Sequence, residues 1–475
     1  MEDDAAMTET LAIEHLDVEA RAARGKEQRK TLPRAAHAEW TPAATRADAF
    51  SLLSAQETTR VPELVPIRHE RMRASPFAFY RGAAVVMAAD LADGPSSGLR
   101  VQCCGDAHLA NFGGFSAPDR RTVFDINDFD ETSKGPFEWD VKRLAASFEI
   151  AARARGFTNA EPESVAQHAA RSYREAMRQF AAMSNLDVWY ARLDVDALLA
   201  GLGTRVTGRE VKRVERVVAK AQTKDSMKAF NKLTERVDGS VRIISDPPLI
   251  VRIEDMALAE GFDPGSLDVW LRETFRHYRQ SLQPDRRHLL EGYELVDVAR
   301  KVVGVGSVGT RCWIVLLIGK DETDPLFLQI KEAEGSVLEP YAGKSEYANH
   351  GQRVVEGQRL LQASSDILLG WFRVRAPDGV DRDYYVRQLW DGKLSADIDT
   401  MVPENFPIYA EMCARTLARA HARSGDRVAI ASYLGTGETF DRAIGEFAVA
   451  YADQNARDYD SFVAALDKSA SSDRA

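Results

Sequence analysis

The chain is short of cysteine, of long apolar runs and of surplus positive charge, and each shortage removes a class of protein. Cys103, Cys104, Cys312 and Cys413 are the only cysteines in 475 residues, too few for a disulfide framework, and none stands in C-x-x-C spacing. A reducing, cytoplasmic setting is expected. The longest apolar stretches, such as "RCWIVLLIG" at residues 311–319, fall well short of the roughly 18 to 20 residues that span a bilayer. The opening "MEDDAAMTETLAIEHLDVEA" is acidic and lacks the basic end and apolar run of a secretion signal. Neither export nor a membrane partner is expected. The formal charge of -10, with 62 Lys and Arg against 72 Asp and Glu, opposes sequence-independent nucleic-acid binding, which needs clustered positive charge. One basic row recurs every four positions, at Lys212, Arg216, Lys220, Lys224, Lys228 and Lys232. On a helix that stride drifts about 40° per step, and Glu215, Asp225 and Glu235 dilute the row. It reads as a solvated helix face, and no nucleic-acid partner is predicted.

What remains is ordinary globular composition, 45% apolar and 28% charged, in a chain long enough for two or more packed units. Residues 1–45 read as an arm with little sustained periodicity, able to become helical against the body. Residues 46–290 read as a mostly helical part that carries two short strands around "CCGDAHLANFGG" (103–114) and "FDINDFDE" (124–131). Residues 291–392 alternate β-branched and aromatic runs with Gly, Asp and Pro turns, as an antiparallel meander with one helix inserted. Residues 393–475 return to helix. The fold class expected is α+β.

Residues 304–309, "GVGSVG", fit G-x-G-x-x-G, a weak signal by itself. A dinucleotide-binding turn needs a helix directly after the loop, whereas "TRCWIVLLIG" reads as a strand. Strand, glycine loop, strand resembles the arrangement of protein-kinase-like enzymes, in which a hairpin tip without side chains lets backbone amides cover ATP phosphates. That resemblance assigns Gly304, Gly306, Ser307 and Gly309 to phosphate binding. It also assigns Lys331, the only lysine of "LFLQIKEA", to pairing with the phosphates. Such a lysine needs a carboxylate to hold it, and Glu356 on the next helix is the first choice, with Glu346 behind it.

"CGDAHLAN" resembles the H-G-D-x-x-x-x-N catalytic loop of aminoglycoside phosphotransferases, choline kinases and their relatives in the protein-kinase-like superfamily. The resemblance implies Asp106 as the catalytic carboxylate and Asn111 as a Mg ligand. Cys104 stands where those enzymes have His. "NDFDETSKGPFEWD" is similar to their "I-D-F-D-D…G-P…Y-D" segment, which implies Asp128 as the main metal ligand and Asp140 as the brace of the catalytic loop. Asp125 competes for the metal role, since its flanking residues also fit. His108 lies inside the motif, where contact with substrate and a structural bond are both open. His421 and His350 read as helix-face residues, and Cys103 and Cys104 as buried strand packing. The catalytic loop precedes the glycine loop by about two hundred residues, the reverse of the usual order, so the resemblance implies a two-lobed kinase-like fold with circularly permuted connectivity. The combination also resembles an uncharacterised bacterial domain family within that superfamily, whose members share "GDAHLxNFG" and "NDFDE".

The resulting expectation is an ATP- and Mg-dependent phosphotransferase acting on a hydroxyl of a small molecule or protein. Gln388 and Leu389, with Trp390, would form the hinge that reads adenine. Nucleotidyl transfer, a non-catalytic nucleotide-binding scaffold and, more distantly, a dinucleotide-binding dehydrogenase are the rivals.

Overall fold

A computed structural model describes residues 15–157, 164–202, 216, 226–259, 264–376, 378–389 and 392–472. The first 14 residues of the expected arm, Lys212, Lys220 and Lys224 of the basic row, and Trp390 lie outside them. Helix makes up 54% and strand 17%, and the strands gather mainly in one sheet, so the class is α+β. Among the described residues no helix is long and apolar enough to cross a membrane.

Two short ladders carry the N-terminal motifs. Strand β1 (Arg100–Cys103) pairs antiparallel with β4 (Ser133–Pro136), while β2 (Phe112–Ser116) pairs with β3 (Thr122–Ile126). The hairpin of β2 and β3 is flanked by the short strands Leu394–Ser395 and Leu193–Asp194. The stretch "FGGFS" has no strand signature in the sequence, and tertiary packing explains it. A Cβ on Gly113 would come within 2.4 Å of the Leu394 carbonyl oxygen, so only glycine lets the neighbouring strand approach.

The main sheet is antiparallel and six-stranded: β5 (Ile250–Arg252), β6 (Glu294–Lys301), β7 (Cys312–Ile318), β8 (Pro325–Ala333), β9 (Gly370–Arg375) and β10 (Asp381–Gln388) lie in the order β9-β10-β8-β7-β6-β5. Alternate residues of β7 face opposite ways. Val315 and Leu317 pack with Tyr278, Leu282 and Leu290, while Ile314 and Leu316 pack with Ala229, Leu233 and Ile243. Both faces are thus covered by segments from 226–291, and β5 and β9 are the edge strands. The boundary expected at residue 290 therefore does not separate a helical part from the sheet. The apolar faces of helices Ser226–Leu233 and Pro264–Gln280 belong to the sheet's own cores.

The helical layer is built around α2 (Phe137–Ala154), which is buried on nearly every side by α3 (Val165–Ala181), α5 (Phe406–Ser424) and α7 (Thr439–Ser472). A helix hydrophobic all round is expected in such a place, yet α2 carries charge, and each charge has a partner. Glu138 accepts from the Ser97 amide at 2.7 Å, Lys142 sits 4.5 Å above the Phe447 ring, and Asp140 and Arg143 serve the site described below. Helix α4 (His350–Leu361) lies between β8 and β9 in the chain and packs on the sheet beside α5.

Residues 18–31 form helix α1, which docks on α6 (Arg427–Leu434). Its apolar periodicity is weak because the contact is made by small residues, with Gly25 buried against Ala429. Propensity alone would favour Ala at a helical Gly by about 1 kcal/mol. A Cβ here would meet the Ala429 carbonyl oxygen at 2.0 Å, so α1 would have to move. Gly25→Ala is expected to destabilise the chain by about 1 to 3 kcal/mol, read as a lower urea midpoint; a raised midpoint would contradict this docking.

Candidate active site

The loop after β1 is shaped by one buried carboxylate. Asp140, in the first turn of α2, accepts from the Cys104 and Gly105 amides at 2.6 and 3.0 Å, as a brace of this loop should. Gly105 has φ +85°, and a Cβ there would lie 2.1 Å from the Glu131 carbonyl oxygen, so no other residue fits. His421 from α5 completes the brace, with Nε2 3.1 Å from Asp140 and Nδ1 2.8 Å from the Tyr173 hydroxyl. It is fully buried, which corrects its reading as a helix-face residue. Cys103 and Cys104 are buried as expected, and Cys104 Sγ lies 3.5 Å from the Asn111 amide nitrogen.

Asp106 faces a cavity of about 230 Å³. Arg143 of α2 donates to its Oδ1 from Nε and Nη2 at 2.9 and 2.7 Å, while His108 Nε2 stands 3.6 Å from Oδ2. Burial pushes the His108 imidazole down to about 4, so it is neutral near pH 7. Asn111 lines the same cavity. Its amide nitrogen donates to the Asp106 and Asp128 carbonyls, both at 3.0 Å, which leaves Oδ1 as the acceptor available to the cavity.

Beyond β3 the segment 127–131 crosses the floor of the cleft. Lys331 of β8, buried, reaches it with Nζ 3.2 Å from Asp128 Oδ1 and 2.5 Å from Asp130 Oδ2. Burial raises the Asp128 carboxyl, but the Lys331 ammonium and the Arg387 guanidinium outweigh it and hold Asp128 well below the usual range. Asp130 moves up, through burial and the Asp128 charge beside it. It also accepts from the Tyr385 hydroxyl at 2.6 Å and from Ser307 Oγ of the glycine loop at 3.4 Å.

Glu131 lines the cavity wall and accepts from the Val337 amide at 2.7 Å. Burial pushes its carboxyl up from 4.5 to about 7. Between those values the folded chain binds more protons than the unfolded one, so stability falls as pH rises through the window. Glu131→Gln is therefore expected to flatten that fall, gaining about 1 to 2 kcal/mol over the native chain at pH 8 but little at pH 5. Chemical denaturation at the two pH values measures it, and equal gains would contradict the buried, proton-holding carboxyl.

The glycine loop joins β6 to β7 as a hairpin, with no helix after it, so it is not the strand–loop–helix turn of a Rossmann dinucleotide site. Gly304 and Gly309 take φ +68° and +93°. Gly304, Gly306 and Ser307 line the cavity, whereas Gly309 turns outward, its carbonyl accepting from the Val61 amide at 2.8 Å. Arg60 and Arg71 hold the Val308 and Gly304 carbonyls, each at 2.5 Å, so residues 60–71 clamp the loop from outside.

Three sequence expectations need correction. Glu356 does not hold Lys331 but pairs with Arg359 at 3.0 Å, and Glu346 pairs with Lys134 at 3.3 Å. The face of α4 turned to the cleft presents Arg353, which binds the Asp130, Thr132 and Glu334 carbonyls, so the carboxylates for Lys331 come from Asp128 and Asp130. Asp125 is no cleft residue. It lies within β3, buried, with Arg419 at 2.5 Å and the Ile126 amide at 2.8 Å, whereas Asp128 lies past the strand's end, where the chain enters the cleft. Gln388 and Leu389 do line a second, adjoining cavity of about 510 Å³, but their amides are occupied by Asp366 at 2.5 Å and the Phe327 carbonyl at 2.9 Å.

The sequence reasoning missed Asp130, Arg143, Arg353, Tyr385 and Arg387. A signal existed for two of them. Gln329 and Lys331 alternate in β8, Tyr385 and Arg387 alternate in β10, and the register pairs Lys331 with Tyr385 and Gln329 with Arg387. Residues two apart in a strand share one face, and Gln329, Lys331 and Arg387 of that face line the larger cavity.

No curated protein and no solved structure matches the chain. A family model matches residues 60–465, most of the chain and all of the cleft residues named above. The chain therefore belongs to the bacterial family described as an uncharacterized protein conserved in bacteria (DUF2252).

Proposed function

We propose that the chain is an ATP- and Mg-dependent phosphotransferase of protein-kinase-like fold with permuted connectivity, moving the γ-phosphoryl group to a hydroxyl of a small-molecule or protein acceptor. One observation carries this reading: Lys331 Nζ lies 3.2 Å from Asp128, whose carbonyl shares the Asn111 amide with that of Asp106. Segments some two hundred residues apart thus meet at one cleft, roofed by the glycine hairpin. Their order along the chain supports the permutation.

The residues present fit both groups. Mg favours oxygen ligands, commonly one or two from the protein with the rest from phosphate and water, and Asp128 with Asn111 Oδ1 supplies that set. Among the described residues no group of three or more His, Cys, Asp or Glu is placed to cage a metal by itself. The 510 Å³ cavity, running from Lys331 and Gly304 to Gln388 and Leu389, has the size of a cofactor site. When bound, Mg would offset charge on the phosphoryl oxygens.

The chain's own part is binding, orientation and one proton. Lys331 and Arg387 bring two fixed cations to the phosphate end, and burial with Asp130 prevents Lys331 from swinging away. With the Gln388 and Leu389 amides already bonded, recognition of the base falls to carbonyl groups and side chains there. Asp106 receives the acceptor's proton at Oδ2, because Arg143 occupies Oδ1. Incubation with Mg and γ-labelled ATP against a metabolite extract should label a product that Asp106→Asn fails to make. Transfer of AMP in place of phosphate would identify a nucleotidyl transferase. The grip of Arg143 on Asp106 favours one second reading, a nucleotide-binding scaffold without turnover, in which neither protein labels any product.

A further inference from the structure

Away from the cleft, α1, the C-terminal end of α3 and the C-terminal end of α6 border an open surface hollow of about 530 Å³. It shares no lining residue with the two cavities of the cleft. Four cations line it, Lys26, Arg29, Arg34 and Arg178, and no carboxylate does. On an acidic protein that is unusual, and two nearby acids are already engaged: Asp441 holds Arg174 at 2.8 Å and Asp426 holds Arg21 at 2.8 Å. Among the described residues none of the four has a carboxylate partner.

Two of the cations are fixed in place. Arg29 donates to the Tyr433 carbonyl at 2.8 Å and to that of Ser432, and Arg34 donates to the Leu434 carbonyl at 2.6 Å. Capping the α6 C-terminus accounts for these two cations, not for Lys26 and Arg178. Two helix C-termini face the hollow, and each supplies about half a negative charge, which leaves a surplus of roughly three positive charges. Gly435, at φ +70°, closes the argument. A Cβ there would fall 2.7 Å from Arg29 Nη2 and 2.8 Å from Arg34 Nη1, so its absence is what lets the two guanidiniums lie together. Burial, and then the Arg34 charge, lower the proton affinity of Arg29, as expected for like charges held without a counter-ion.

We propose that this hollow is a binding site for a soluble, phosphate-bearing small anion with two or more negative charges. Guanidinium groups pair with phosphate through two parallel hydrogen bonds, and clustered cations discriminate a dianion from a monoanion. Lys26, Arg29 and Arg34 precede residue 60, where the family match begins, so three of the four cations come from chain outside it.

Isothermal titration of the full chain with pyrophosphate at low salt tests the proposal. Lys331→Met disables the cleft and keeps this hollow, so it should retain the pyrophosphate heat. Arg34→Glu should weaken that binding at least tenfold. Arg178→Glu and Lys26→Glu, at exposed positions where the fold is not at stake, should each weaken it severalfold. No binding by a folded Lys331→Met chain, or charge-reversed variants that bind like it, would overturn the site. So would capture of the chain by phosphatidic-acid vesicles without any heat from pyrophosphate.

Discussion

Asp106→Asn is expected to lower phosphoryl transfer by about 10²- to 10⁴-fold, the range for a positioned general base, while Mg-ATP still binds. The separation follows from geometry. Asp106 Oδ2 opens to the smaller cavity, whereas Lys331 and Asp128, assigned to phosphate and metal, reach the cleft from other segments. The substitution has a structural side as well. Arg143 is buried and donates twice to Asp106 Oδ1, so an amide in its place keeps an acceptor but removes the counter-charge. A loss of about 2 kcal/mol of stability is expected, below the 3 to 5 of a fully broken buried pair. Turnover and the denaturation midpoint should therefore be measured together. Unchanged turnover in a folded Asp106→Asn chain would remove Asp106 from the chemistry, and absence of turnover in both chains would leave the scaffold reading.

Lys331→Met has the larger combined effect. The ammonium is 2% exposed and touches Asp128 and Asp130, which keep 39% and 31% exposure on the cleft side. Removing it leaves two neighbouring carboxylates without their cation. Water in the cleft softens that repulsion, so the expected cost is about 2 kcal/mol, under the range for a fully buried pair. With the positive charge gone, Asp128 should titrate upward, since Lys331 is the strongest influence holding it down against burial. Below neutral pH the variant then takes up protons the native cleft refuses, and its stability deficit should shrink as pH falls through the carboxylate range. Nucleotide should no longer raise its melting temperature. A variant that retains both stability and nucleotide binding would show that Lys331 does not organise the cleft.

The elements legible in the sequence were those whose cause is local. The glycine hairpin is predictable because "RCWIVLLIG" has the β-branched, short, Gly-bounded form of a strand, and the structure has β7 there. Asp106, Asn111, Asp128 and Lys331 converge as their motifs imply. What escaped depends on tertiary choice. Helical spacing in "RVVEGQRLLQ" says that Glu356 and Arg353 lie three apart, but not which of them faces the cleft, and Arg353 does. Glycines in "FGGFS" look like a loop until Leu394 is seen crossing Gly113. The docking of α1 through Gly25 leaves no apolar stripe to read. The bond that occupies the Gln388 amide escaped for a related reason, since its partner Asp366 lies twenty-two residues upstream.

Equilibrium binding of ATP, with and without Mg, to the native chain and to Asp128→Asn is the most direct test of the convergence at the cleft. The native chain should bind ATP more tightly when Mg is present, and Asp128→Asn should lose that dependence. A folded native chain that binds no ATP in the presence of Mg would contradict the account.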